Sequence, residues 1–351
     1  MTVSRRAVLG AFGALGTSAA LAACSTGSTS SSSPSATGSG TAAADAGAFP
    51  VSIKNSLGTA TIPKAATRMA TFGIGNEDYL AVLGEVPVLV PSWGEDGNSR
   101  GSTDWFDEAV KKLGKDYPAQ YKQAESLPID EIAKATPDLL FGPYSGLTEQ
   151  EYAKASKLAP TVAAPGIPYG TTWQETLKIA GEALGKKDAA AKAQADLEKQ
   201  VAEAVAKYPA IKGKTIALLR FFPNDAGKIY STTTLDPRQA LMREFGFTTP
   251  QFVTDLTKAN PKAYGAPISA EKAASTIDAQ VVLVLGQTES DFDGLKKSPL
   301  LSAIPAIKNG AVVYLTTSQD TNALNSPTVL SIPVVLETSL PKLGAAAEKA
   351  K

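Results

Sequence analysis

Histidine is absent from the 351-residue chain, and cysteine occurs once, at Cys24. Those gaps exclude Ser-His-Asp and Cys-His nucleophiles and the usual zinc or transition-metal ligand sets. A lone cysteine also excludes an internal disulfide. Beyond the initiator the only methionines are Met69 and Met242, so axial haem ligation would fall to these or to tyrosine. The formal charge is zero, and no Lys/Arg block is interleaved with aromatics, so nucleic acid is not an expected partner. There is no Walker lysine motif. Gly73-Ile74-Gly75 follows an apolar strand as a dinucleotide fingerprint would, but the third glycine position holds Asp78. The acidic pairs Glu95/Asp96 and Asp104/Asp107 read as solvated surface. With these chemistries removed, the chain is expected to bind a ligand and not to be an enzyme, with no resident cofactor or metal.

What is present begins with an export signal. Arg5-Arg6 stand ahead of an apolar run, residues 7–23, that is too short and weakly hydrophobic to span a membrane. Residues 4–9 match the twin-arginine pattern, and Leu21-Ala22-Ala23-Cys24 resembles the bacterial lipobox, in which the cysteine becomes a diacylglycerol-bearing N-terminus. Residues 1–23 are therefore expected to be a signal peptide. Residues 24–48, rich in Ser, Thr, Gly and Ala, are expected to be a flexible tether.

The remaining 300 or so residues suffice for two domains. Near their middle, KKDAAAKAQADLEKQVAEAVAKY (186–208) lacks Pro and Gly and is built from strong helix formers. Ala190, Ala193, Leu197, Val201, Ala204 and Tyr208 form one apolar stripe at helical spacing. Asp188 stands at the expected N-cap, and Pro209 and Gly213 close the far end. On either side the pattern alternates short apolar strands with helices. A strand within 68–72 is matched by 214–220, 139–141 by 281–285, and 161–164 by 311–315. A hairpin over 49–63, a strand over 86–90 and a last helix over 327–343 complete the reading. Continuous apolar strands between helices predict parallel sheets covered on both faces. The expected fold is α/β: two Rossmann-like lobes with largely parallel sheets, 49–185 and 209–351, joined by the helix 186–208. A single stiff helix is a poor hinge, so only small rocking is expected.

In open α/β sheets ligands sit beyond the carboxyl ends of the strands. The loops there carry Trp93, Arg100, Tyr144, Tyr169, Trp173, Arg220, Phe222 and Tyr230. Guanidinium groups beside aromatic faces suit a bulky, partly apolar ligand with anionic oxygens.

Segments across 49–343 then carry a family resemblance. They are FPVSIKNSLGTATIPKAATRMATFG, LAVLGEVPVLVP, IDEIAKATPDLLFGPYSGLTEQEYAKASKLAPTVA, TWQETLKIAGEALGK and SAIPAIKNGAVVYL. In that order, behind a lipobox, the chain resembles the ferric-siderophore-type substrate-binding lipoproteins of bacterial ABC importers, the class III group that also includes cobalamin binders. The resemblance implies capture of a ferric siderophore and delivery to an ABC permease, by a monomer lipid-anchored to the outer face of the cytoplasmic membrane or periplasmic. It implies that Tyr144 meets the ligand and that one glutamate per lobe docks on the permease: Glu244 in one, Glu149 or Glu151 in the other. The absent histidine points to recognition of a completed chelate. The modest arginine count leans to hydroxamate or mixed-ligand chelates. Haem or cobalamin binding stays open, as does a surface enzyme acting on an iron chelate.

Overall fold

A computed structural model describes residues 44–45 and 47–351, apart from Gln287 and Thr317. The signal peptide, Cys24 and most of the tether lie outside the described residues.

The chain enters through an antiparallel hairpin, β1 (Val51–Asn55) and β2 (Gly58–Ile62), whose alternate residues Ile53, Asn55, Ala60 and Ile62 are buried. Five short strands follow: β3 (Met69–Thr71), β4 (Leu89–Ser92), β5 (Ala119–Lys122), β6 (Leu139–Phe141) and β7 (Thr161–Val162). They form a wholly parallel sheet in the order β5-β4-β3-β6-β7. Beyond the long helix come β8 (Ile216–Arg220), β9 (Lys228–Thr232), β10 (Gly265–Ser269), β11 (Val281–Leu285) and β12 (Val312–Leu315). Their order, β10-β9-β8-β11-β12, repeats that of the first sheet position by position. The three predicted correspondences are therefore real: β3 with β8, β6 with β11, β7 with β12. The second sheet departs in direction. β8, β11 and β12 are parallel, whereas β9 is antiparallel to both β8 and β10. Every residue of β11 is buried, as expected of a strand covered on both faces.

Three details correct the sequence reading. The strand expected over 86–90 is β4, which starts at Leu89; Val88 already donates its N–H to the Met69 carbonyl (2.8 Å). The helix expected over 327–343 is instead two, Ile332–Thr338 and Leu340–Glu348, with Pro333 and Pro341 in their first turns. Proline lacks the N–H needed inside a helix but fits its first turn, so each restarts the chain. Asp188 is not the N-cap of the long helix. That helix runs Lys187–Val205 with Lys186 at its cap, and the carboxylate reaching its first amide is that of Asp45 (Lys187 N to Oδ2, 3.2 Å).

The predicted stripe of the long helix is the buried one. Ala190, Leu197 and Val201 are in the core, with Ala193, Ala204 and Tyr208 packed against it. It lies along the helix Trp173–Leu184 on one side and Ile332–Thr338 on the other. Contact with the former is close because residue 181 is glycine: a Cβ there would stand 2.6 Å from that of Ala190. Lys186 is 4 % exposed, and its ammonium donates to the Leu83 carbonyl (2.9 Å) and Glu85 Oε1 (2.7 Å). One apolar core takes in Met69, Leu139 and Phe141 of the first sheet, the long helix, and Ile216, Leu218, Val281 and Leu283 of the second. The helix is thus the covalent bridge but not the sole tie between the halves.

Candidate functional site

A cavity of about 1030 Å³ opens between the two sheets at the ends of their strands. Four of the predicted residues, Trp93, Tyr144, Tyr169 and Arg220, line it.

Trp93 directly follows β4, and its indole N–H donates to Glu77 Oε1 (3.4 Å). Tyr144 follows β6 and is placed by Asn76, whose side-chain amide donates to the Phe72 and Tyr144 carbonyls (2.8 and 2.9 Å) and accepts from Tyr144 N (3.0 Å). Gly73-Ile74-Gly75 gains its meaning here. Both glycines have positive φ, and a Cβ on Gly73 would meet the Tyr144 carbonyl oxygen at 2.3 Å. The motif lets the Tyr144 loop close on the chain; it does not cradle a phosphate. Burial raises the Tyr144 phenol well above its ordinary pKa, so the ring acts as a neutral hydrogen-bonding wall. Tyr144, Tyr169 and Tyr264 stand edge to face in succession, with centroids 5.5 and 6.2 Å apart.

Arg220 is the last residue of β8 and makes no ion pair among the described residues. Its guanidinium carbon lies 5.2 Å over the Phe222 ring. Partial burial, then the nearby Arg238, weaken its hold on its proton relative to an ordinary arginine, although an arginine stays charged at any physiological pH. Arg238 is held differently. Asp236 caps the helix Pro237–Glu244 and grips the guanidinium with both oxygens, at 2.9 and 2.6 Å. Burial alone would lower the Arg238 pKa, but Asp236 outweighs it and fixes the charge. Sequence reasoning missed Arg238, Tyr264, Lys122, Asn322 and Asn325, all of which line the cavity. In Asp236-Pro237-Arg238 the aspartate both caps the helix and orients the arginine.

The other predicted contacts fall elsewhere. Arg100 is a surface residue paired with Asp107 (3.2 Å), its guanidinium 4.1 Å over Tyr117, outside the cavity. Trp173 is 2 % exposed and its N–H is taken by Glu244 (3.2 Å), so it is a core residue. Phe222 and Tyr230 stack edge to face at 5.5 Å and support Arg220 from behind without lining the cavity. Glu244 also accepts from Gln174 Nε2 (2.8 Å) and is half-buried, which raises its pKa. Glu151 closes a capping box with Thr148 and accepts from Leu127 N (2.8 Å). Glu149 is exposed, with no hydrogen bond or ion pair of its own among the described residues.

No group of three or more His, Cys, Asp or Glu side chains is placed to hold a metal ion among the described residues. No helix among them is long and apolar enough to cross a membrane. Two similar α/β halves meeting at an aromatic cavity with two arginines, one of them fixed by Asp236, define a two-lobed binding protein for a small molecule. The chain belongs to the periplasmic binding protein family, whose model matches residues 74–318. Among its relatives, the ferric enterobactin-binding periplasmic protein FepB of Escherichia coli is 23 % identical over 287 residues, 80 % of this chain and 88 % of that protein. Streptococcus pneumoniae PiaA, solved in complex with ferrichrome, is 29 % identical with a TM-score of 0.79, covering 86 % of this chain and 99 % of PiaA. A periplasmic solute-binding protein from Mycobacterium smegmatis is 26 % identical with a TM-score of 0.70, covering 85 % of this chain and 98 % of that one.

Proposed function

We propose that the protein captures a ferric siderophore outside the cytoplasmic membrane and delivers it to an ABC permease, and that it does so as a binding protein with no catalytic step. The observation that carries this reading is the cavity itself: a tyrosine ladder and Trp93 with Arg220, a guanidinium with no carboxylate partner among the described residues. Aromatic faces and a bidentate donor match the apolar rim and anionic oxygens of a wrapped iron chelate. FepB and ferrichrome-bound PiaA among the relatives support the same class of ligand.

The charge balance favours one kind of chelate. Arg220, Arg238 and Lys122 contribute three positive charges, and Asp96 and the Asp236 paired with Arg238 remove two, leaving one. A trianionic tris-catecholate would remain undercompensated, so a neutral or singly charged hydroxamate or mixed-ligand chelate fits better. Of the candidate permease contacts, Glu149 is the one with a free carboxylate; Glu151 and Glu244 are engaged in local structure. The lipobox sequence supports anchoring through a lipid at Cys24, with the protein working as a monomer on its tether.

Tryptophan-emission titration against ferric hydroxamates, ferric tris-catecholates, haemin and cobalamin tests the reading, because Trp93 lines the cavity. Saturable quenching by a ferric hydroxamate and little by its iron-free form is expected. A response to haemin or cobalamin alone would overturn it.

A further inference from the structure

The helix Asn76–Val82 begins beneath the cavity with three consecutive polar residues, and all three are buried: Asn76 at 0 %, Glu77 at 3 % and Asp78 at 1 % exposure. Asn76 is accounted for by the Tyr144 loop. The two carboxyls have a different set of partners. Glu77 accepts the Trp93 indole N–H on one oxygen and the Thr71 hydroxyl on the other, both at 3.4 Å. Asp78 Oδ2 accepts the Trp105 indole N–H (2.8 Å) and the hydroxyl of Thr328, which comes from the far end of the chain. Trp93 and Trp105 meet edge to face, 6.4 Å apart at 84°. Thr328 in turn accepts the Ser331 N–H (3.0 Å), and Tyr79 donates its hydroxyl to the Pro327 carbonyl (3.4 Å). A continuous chain of contacts therefore runs from the cavity wall through two indoles and two carboxyls to the C-terminal segment.

We propose that Glu77 and Asp78 are positioning residues of the ligand cavity, Glu77 setting the plane of Trp93 and Asp78 tying the same wall through Trp105 to Thr328. The inference rests on the reading that the ligand packs against Trp93. Its consequence is a dependence on protons. Neither carboxyl has a lysine or arginine partner among the described residues, and the other titratable groups facing them are Tyr79 on the same helix and Tyr121 on β5. Burial raises both tyrosines, so they stay neutral and supply no compensating charge. Burial, and for Asp78 also the charge of Glu77, pushes the two carboxyls up, Glu77 to about 7. A ligand seated on Trp93 displaces the cavity water beside the already buried Glu77 and so favours its protonated form. Affinity is then full below that value and falls as pH rises through it.

The test follows tryptophan emission of the ligand-free protein from pH 5.5 to 8.5 and, over the same range, its affinity for ferrichrome. The wild type should show an inflection near pH 7 and bind ferrichrome roughly three- to tenfold more weakly at the alkaline end. Glu77→Gln, which keeps an acceptor for Trp93 and a partner for Thr71, should lose the inflection and bind with flat pH dependence. Thr328→Val should weaken ferrichrome binding while leaving the inflection in place. If Glu77→Gln does not fold, Trp93→Phe serves, since it too should abolish the inflection. An inflection that is absent, or that survives both substitutions, overturns the proposal, as does pH-independent affinity in a wild type that binds. Failure of ferrichrome to bind at any pH counts against the siderophore reading, while the ligand-free inflection still decides the carboxyl pair.

Discussion

Each of the three tryptophans gives its indole N–H to a carboxyl oxygen: Trp93 to Glu77, Trp105 to Asp78 and Trp173 to Glu244. Only the first faces the cavity. That distinction separates residues of similar type that the sequence presents alike, and the arginines divide the same way. Arg220 ends an apolar strand as its one exposed residue, so its place in the cavity wall could be read from its position. Arg100 lies in a polar loop and is satisfied by Asp107 and Tyr117. Arg220→Ala should therefore weaken ferric chelate binding by about tenfold or more, the loss of one charge-assisted hydrogen bond. Arg100→Ala should change it by less than about twofold, as expected of an exposed ion pair. Equal effects in a fluorescence titration would contradict the assignment. Arg238 and Tyr264 were illegible because nothing local marks them. One follows a helix-capping Asp-Pro, and the other precedes an edge strand with no apolar run.

Among the elements, the helix Lys187–Val205 was the most legible, since nineteen residues without Pro or Gly leave little room for another conformation. Its neighbours were less so. β5, β9 and β10 were not foreseen, nor were the helices Gln251–Ala259 and Glu289–Lys297. β5 and β10 are edge strands and β9 lies between β10 and β8, and the partial burial of all three leaves no continuous apolar run to detect. The C-terminal region kept its helical period across two prolines, which hid its breaks. The long helix depends on a glycine of its partner. At Gly181 an added methyl would meet the Ala190 methyl at 2.6 Å, and neither can rotate away. Gly181→Ala gains helix propensity of about 1 kcal/mol but forces the two helices apart. The expected net effect is a loss of about 1–2 kcal/mol in urea unfolding. An unchanged or higher midpoint would show that the two helices have slack.

At the scale of the molecule, the halves share more than a rod. One apolar core passes beneath both sheets, and Thr328 to Asp78, Asn322 to Asp96 and the Glu244 contacts with Trp173 and Gln174 join them around the cavity. Such ties restrict the opening available to the cleft, and the change in radius of gyration on binding ferrichrome should be about 1 Å or less by small-angle scattering. A larger closure would contradict the shared core as a restraint. Recognition of a completed iron chelate by this cavity is checked by calorimetric titration with ferrichrome and with its iron-free form. One site with a dissociation constant of roughly 1 µM or tighter is expected for the ferric complex, and at least about a hundredfold weaker binding for the iron-free form. Equal affinity for the two forms, or no heat with ferrichrome or any other ferric hydroxamate, would contradict it.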